Sequence, residues 1–217
     1  MPATIQSIVD SAYKEWDLWG KSIYNRITNH RYIVLEDDSD DRAKYVLNNY
    51  CKEMKSGKPS WEDIRDDQWA WSAVGMVAIM RGAGLDKNEF PFTVAHHTFI
   101  RRFIKSRKEG VDDLYWGYRI GLPGSEPAIG DLIAYARFDE EDKRTDIQKW
   151  EVTRGRFDRE KGYESHTDVV VDVRHGEIDV IGANVEDSVT LKTLALSPSG
   201  HLIDQNYFWF ATLKFQG

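Results

Sequence analysis

An α+β domain is what this chain predicts, and three observations carry that prediction. Apolar residues recur at helical spacing through the first half, and alternation with a period of two takes over in the second. The change of regime falls at a turn-rich segment, Pro123-Gly124-Ser125-Glu126-Pro127. Helices followed by hairpin-linked strands give helices packed on an antiparallel β-sheet. With 217 residues, 41% hydrophobic and 12% aromatic, the chain can bury a full core as one compact unit.

The elements follow in order. Ile5, Ile8, Val9, Ala12, Trp16 and Trp19 mark a first amphipathic helix that ends near Gly20. Glu36-Asp37-Asp38-Ser39-Asp40-Asp41 lacks the glycine and terminal glutamate of an EF-hand loop and reads as a solvated acidic turn. A helical pattern from Arg42 to Met54 carries Cys51. Residues 1–58 are therefore expected to form a helical extension packed on a core unit of residues 59–217. In that unit an apolar run from Ser72 closes at Gly82 and Gly84, and a second helix runs from about Thr93 to Lys108. Strands are expected at Asp131–Arg137, Asp168–Val173, Glu177–Gly182, Val189–Leu194 and Tyr207–Ala211, with a charged loop from Asp139 to Asp146. Arg174-His175-Gly176 and Ser197-Pro198-Ser199-Gly200 separate the later strands as turns, which makes a meander.

Composition narrows the function classes. A formal net charge of −7 counts against nucleic acid, whose phosphates need a concentrated basic surface. The basic run Arg101-Arg102-Phe103-Ile104-Lys105-Ser106-Arg107-Lys108 reads as the wet face and last turn of a helix. Cys51 is the only cysteine, so no intrachain disulfide and no CxxC site can form. The first residues lack a basic start followed by an apolar run, so no signal peptide is expected, and no stretch is long enough to span a bilayer. The expectation is cytoplasmic synthesis, with any delivery to the periplasm or cell wall by a signal-independent route.

One stretch points to chemistry. Trp69-Ala70-Trp71 leads into Ser72, which opens the apolar helix. A helix N-terminus carries unpaired N–H groups and partial positive charge, which favour a developing anion there. Ser72 is thus a candidate nucleophile, and the plainer alternative is an N-cap. His166 and Asp168, two apart at a strand start, place both side chains on one face. A carboxylate beside the imidazole would hold its tautomer and raise its basicity. Working as the base for Ser72, His166 should give kcat/KM a midpoint of roughly 6–7.5, pushed up by Asp168. His96 and His97 are adjacent on a helix, so only one can face a cleft. Zinc could draw on His97, His166 and Asp168, but no dedicated ligand motif such as HExxH is present, and neither a metal nor any other cofactor is expected.

The order of these segments resembles the cysteine peptidases of the NlpC/P60 and CHAP superfamily. The segments are the Trp-Ser-Ala helix, Gly130-Asp131-Leu132-Ile133-Ala134-Tyr135, Ser165-His166-Thr167-Asp168 and Ile181-Gly182-Ala183-Asn184. More narrowly, the stretch from about residue 60 to 195 is similar to the DUF2272 domain family. The helix ending in Ala-Gly and Asn184-Val185-Glu186-Asp187-Ser188-Val189-Thr190-Leu191 carry that likeness. The resemblance implies a papain-like cleft between helix and sheet, with Ser72 as nucleophile, His166 as general base and Asn184 as the residue that orients it. It also implies Trp71, His97 and Asp187 at the substrate. The superfamily cleaves peptide or amide bonds, often in bacterial peptidoglycan, but with cysteine where this chain has Ser72. A serine hydroxyl needs an aligned base to react at all. The chain is therefore expected to be either a hydrolase of amide or ester bonds acting on cell-wall peptidoglycan, or a silent binding domain in a phage or secretion assembly.

Overall fold

The computed structural model describes residues 3–139 and 141–217. The elements run α1 (Ile5–Leu18), β1 (Ser22–Asn25), β2 (His30–Tyr32), α2 (Asp40–Tyr45), α3 (Trp61–Arg65), α4 (Ser72–Gly82) and α5 (His96–Glu109). They continue with β3 (Tyr115–Arg119), β4 (Leu132–Ala136), α6 (Asp146–Arg156), β5 (Ser165–Arg174), β6 (Glu177–Val185), β7 (Ser188–Ala195) and β8 (Phe208–Phe215). Among the described residues the result is a mixed α+β fold with six α-helices and one eight-stranded sheet, in the order β2-β1-β7-β6-β5-β4-β8-β3.

The sheet corrects the expectation of a purely antiparallel meander. β4 through β7 and β8 do pair antiparallel, but β1 lies parallel to β7, with Ser22 opposite Thr190 and Asn25 opposite Thr193. The first 58 residues are therefore not wholly helical: β1 and β2 extend the main sheet by a hairpin. The helix expected through Cys51 holds regular α geometry only over α2 and then widens and tightens through Val46–Tyr50 and Cys51–Glu53. β3 precedes the Pro123 turn, and α6 falls between two expected strands.

Two apolar clusters lie on opposite sides of the sheet. Leu132, Ala134, Val169, Val171, Ile181 and Ala183 join the large cluster under α1, α4 and α5. Ile133, Tyr135, Val170, Val180, Leu194 and Trp209 form the second, as strand alternation requires. α5 buries His96, Phe99, Ile100, Phe103 and Ile104, one stripe at helical spacing, and ends at Gly110 in the left-handed conformation. α4 is buried continuously from Ser72 to Met80 and lies directly against β6. Gly75 permits that approach: a Cβ there would sit 2.4 Å from Ala183 Cβ. Trp71, just before α4, stacks on Trp19 with ring centroids 5.0 Å apart. Its indole N–H donates to Asp37.

Candidate active site

Ser72 is the first residue of α4, with Trp71 in the N-cap position. Its hydroxyl therefore does not cap its own helix. Instead, Ser72 Oγ lies 2.9 Å from His96 Nε2, and His96 Nδ1 lies 2.9 Å from Thr167 Oγ1. With the ring proton on Nδ1, His96 donates to Thr167 and accepts from the Ser72 hydroxyl, which is the arrangement of a nucleophile, its base and an orienting group. Two helix N-termini converge here, since His96 opens α5 as Ser72 opens α4. The unpaired N–H groups of both first turns bring partial positive charge to the same point.

Burial is the main cause holding His96 well below the usual imidazole range, and His166, Arg137 and His97 add to it. The ring is thus neutral at neutral pH, ready to accept a proton. Ser72 and His96 are only 5% and 4% exposed. Both nevertheless line the floor of a cleft of about 720 Å³. Its walls include His97, Arg137, Phe138, Tyr163 and Glu164.

His166, expected as the base, makes no hydrogen bond with Ser72. Strand parity is the reason. Tyr135 pairs with His166 and Ile133 with Asp168, and both partners belong to the second face of the sheet. Thr167, opposite Ala134, shares the helix-facing side of β5 with Val169 and Val171. On the second face His166 Nε2 meets Asp168 Oδ1 at 3.2 Å, and Lys192 Nζ meets Asp168 Oδ2 at 2.8 Å. The two networks approach one another, with the His96 and His166 ring centroids 4.9 Å apart.

The electrostatics of the second network follow from its burial. Burial pushes His166 down to about 4 against the opposing pull of Asp168, so the expected upward shift is overridden. Burial works to raise Asp168, yet Lys192 and then His166 outweigh it and hold the carboxyl below its ordinary value. Burial likewise opposes the Lys192 ammonium, and Asp168, with Tyr135 and Tyr207, reverses that and holds it above its ordinary value.

The remaining expected residues separate. His97 lines the cleft, and its Nδ1 lies 3.1 Å from the Tyr163 carbonyl oxygen. It is His96, however, that reaches Ser72. Asn184 makes no hydrogen bond to a histidine among the described residues. It sits where the β6–β7 register slips, with φ 55°, in the left-handed region that asparagine tolerates. Trp71 is fully buried in the aromatic core and does not line the cleft. Asp187 lies away from the cleft lining, where oxygens of Asp37, Asp67 and Asp187 all fall within 4.8 Å of one another.

That acidic group is the carboxylate set among the described residues with the spacing a hard cation would need. Burial is the main cause pushing Asp37 up to about 7, the Trp71 bond opposes it, and the charges of Asp187, Asp67 and Asp38 add to it. Sequence reasoning missed Lys192 and Thr167, and it favoured His97 over His96. The stripe shared with Phe99 and Phe103 was the signal that His96 points inward.

An eight-stranded α+β fold with a serine–histidine pair on the floor of a cleft is thus the class of protein in hand. The chain belongs to the DUF2272 family, described as uncharacterized proteins conserved in bacteria, whose model matches residues 23–215. No curated protein and no solved structure matches the chain. Among the described residues no helix is long and apolar enough to cross a membrane.

Proposed function

We propose that this protein is a hydrolase of amide or ester bonds in which Ser72 is the nucleophile and His96 its general base. The observation that carries the reading is the 2.9 Å contact between Ser72 Oγ and His96 Nε2 at the floor of an open cleft. In the reaction Ser72 Oγ attacks the substrate carbonyl while His96 Nε2 takes the hydroxyl proton. The tetrahedral oxyanion forms beside the free N–H groups at the start of α4. His96 then returns the proton to the leaving amine or alcohol, leaving an acyl-serine. A water, deprotonated by the same nitrogen, releases the acid. Thr167 holds the ring tautomer throughout.

The bacterial family, the position of the serine at a helix start and the likeness of segment order to NlpC/P60 and CHAP enzymes favour peptidoglycan as the substrate and a papain-like ancestry. In this reading the base has moved from the strand to α5. A second reading, a binding-only cleft within a phage or secretion assembly, is favoured by the depth at which Ser72 and His96 are buried.

The deciding experiment is labelling with a fluorophosphonate followed by mass spectrometry. The phosphonyl group should be found on Ser72, with loss of fluoride, and His96→Ala should abolish the modification. A Ser72 that stays unlabelled while the protein remains folded refutes the hydrolase reading and leaves the binding one.

A further inference from the structure

In a chain of net charge −7, three arginines beside the Ser72 cleft have no ion-pair partner among the described residues. They are Arg101, Arg137 and Arg159. Neighbouring cations are matched: Arg102 with Asp113 at 2.7 Å, Lys108 with Asp158 at 2.8 Å and Arg144 with Asp142 at 3.2 Å. Arg156 spends its guanidinium on the carbonyl oxygens of Glu164 and Arg137. The three unmatched arginines border connected hollows. Arg137 lines the cleft together with Ser72, and it shares a smaller hollow of about 230 Å³ with Arg159. Arg101 and Arg159 line a groove of about 680 Å³ that meets the cleft at His97.

A second observation is independent of charge. Tyr163 and Ser165, both 8% exposed, line the same cleft. The hydroxyls of both are buried with no hydrogen-bond partner among the described residues. Buried hydroxyls without partners are costly, and a ligand atom reaching the cleft wall would satisfy them. The same wall also carries Asp139 and Glu164. These would repel a polyanion such as a phosphate chain, but they suit a ligand that places an amine near a carboxylate.

We infer that the cleft takes a peptide-like amide bearing a free carboxylate, which Arg137 grips at the cleft, Arg159 at the adjoining hollow and Arg101 further along the groove. A planar guanidinium matches a carboxylate with two parallel hydrogen bonds, which a lysine cannot reproduce. This deepens the hydrolase reading and rests on it for the cleavage of the bound amide. Recognition of the carboxylate stands on the arginines themselves. It also answers how an acidic protein could engage an anionic wall polymer: the substrate meets the free cations, not the mean charge.

The test uses two fluorophosphonates of equal length on the full chain, one ending in a carboxylate and the other in its methyl ester. The carboxylate probe should label Ser72 about tenfold faster at low salt, the ratio given by about one charge-assisted contact. Arg137→Gln and Arg159→Gln should each bring the ratio toward one, whereas Lys14→Gln on the exposed face of α1 should keep it. In parallel, fluorescence anisotropy follows a labelled acidic tetrapeptide and its fully amidated twin binding to Ser72→Ala. Tighter binding of the acidic peptide, lost in the Arg137→Gln background, supports the inference even if neither probe labels Ser72, an outcome that overturns the hydrolase reading alone. Equal labelling rates together with no preference for the acidic peptide overturn the inference. If Ser72 is labelled all the same, the hydrolase reading stands.

Discussion

Lys192 Nζ and Asp168 Oδ2 form an ion pair at 2.8 Å in which neither side chain is exposed to solvent. The pair lies on the face of the sheet opposite Ser72, so its first consequence concerns stability and not the reaction. A buried pair adds little beyond well-packed apolar residues, but removing one partner strands the other charge. Lys192→Met should therefore lower unfolding free energy by about 3–5 kcal/mol. The double variant Lys192→Met with Asp168→Asn should recover much of that loss. Urea unfolding of both, alongside Asp168→Asn alone, would measure it, and a double-variant loss equal to the sum of the two single losses would mean the two charges are uncoupled.

Gly182 leaves the space in which Asp168 and His166 meet. A Cβ there would lie 2.0 Å from Asp168 Oδ1 and 3.1 Å from His166 Nε2. Gly182→Ala should cost about 1–3 kcal/mol by overpacking. It should also move the His166 ring resonances, visible by NMR, more than Gly57→Ala, where nothing lies within 4 Å.

Acid should destabilise the domain through its buried imidazoles. His166 sits at about 4 in the folded chain against an ordinary 6.5. The unfolded chain therefore binds the extra proton between those values. The stability His166 supports is complete above 6.5 and is lost as pH falls toward 4, to the extent of about 3 kcal/mol. His166→Asn should flatten the stability profile across that window. A profile with unchanged slope would show that the ring is not neutral when folded.

Asp37 acts in the opposite sense. Its folded value of about 7 lies above the ordinary 3.8, so its contribution is complete below 3.8 and is lost as pH rises to 7. Asp37→Asn keeps an acceptor for the Trp71 indole while removing the charge. The variant should gain on the natural chain steadily from pH 4 to 7, and a constant difference in denaturation midpoint would exclude the shift.

For the reaction, a base held well below 6.5 stays deprotonated in mild acid. Turnover of an activated ester should stay flat down to pH 6 and below, in place of the midpoint of roughly 6–7.5 that an imidazole near its ordinary value would give. Thr167→Val removes the acceptor for His96 Nδ1 and should reduce kcat/KM by about tenfold, within the range for a positioning hydrogen bond. Ser72→Ala and His96→Ala should each remove about a thousandfold or more, with the double variant little worse.

How far the sequence could be read depended on burial. α4 and α5 were legible because their apolar runs are long and periodic, and Ser72 was visible at the start of its helix. α6 was not, because only Thr153 and Arg156 of its residues are buried, so no apolar stripe marks it. β1 and β2 are four and three residues long, too short for a pattern, and the partner of β1 is remote in sequence. The placement of His166 away from Ser72 was hidden for a different reason. Ser165 to Val171 is buried on both faces, so nothing in the alternation says which set of side chains meets the helices. Register against β4 decides it, and register is a tertiary fact. Lys192, a charge on an otherwise ordinary alternating strand, gave no sign of lying wholly inside.

The position of β8 between β4 and β3 bears on how the domain is made. β3 joins the sheet only through β8, so until Phe208 is synthesised β3 has α5 to pack on but no strand partner, and β4 keeps an open edge. A growing chain can assemble β4 through β7 as each strand follows the last. The final strand must then enter the middle of what has already formed. Closure by so distant a segment is slow and exposes strand edges while it waits. Biogenesis, more than the finished fold, is the stage at which open strand edges expose this protein to aggregation.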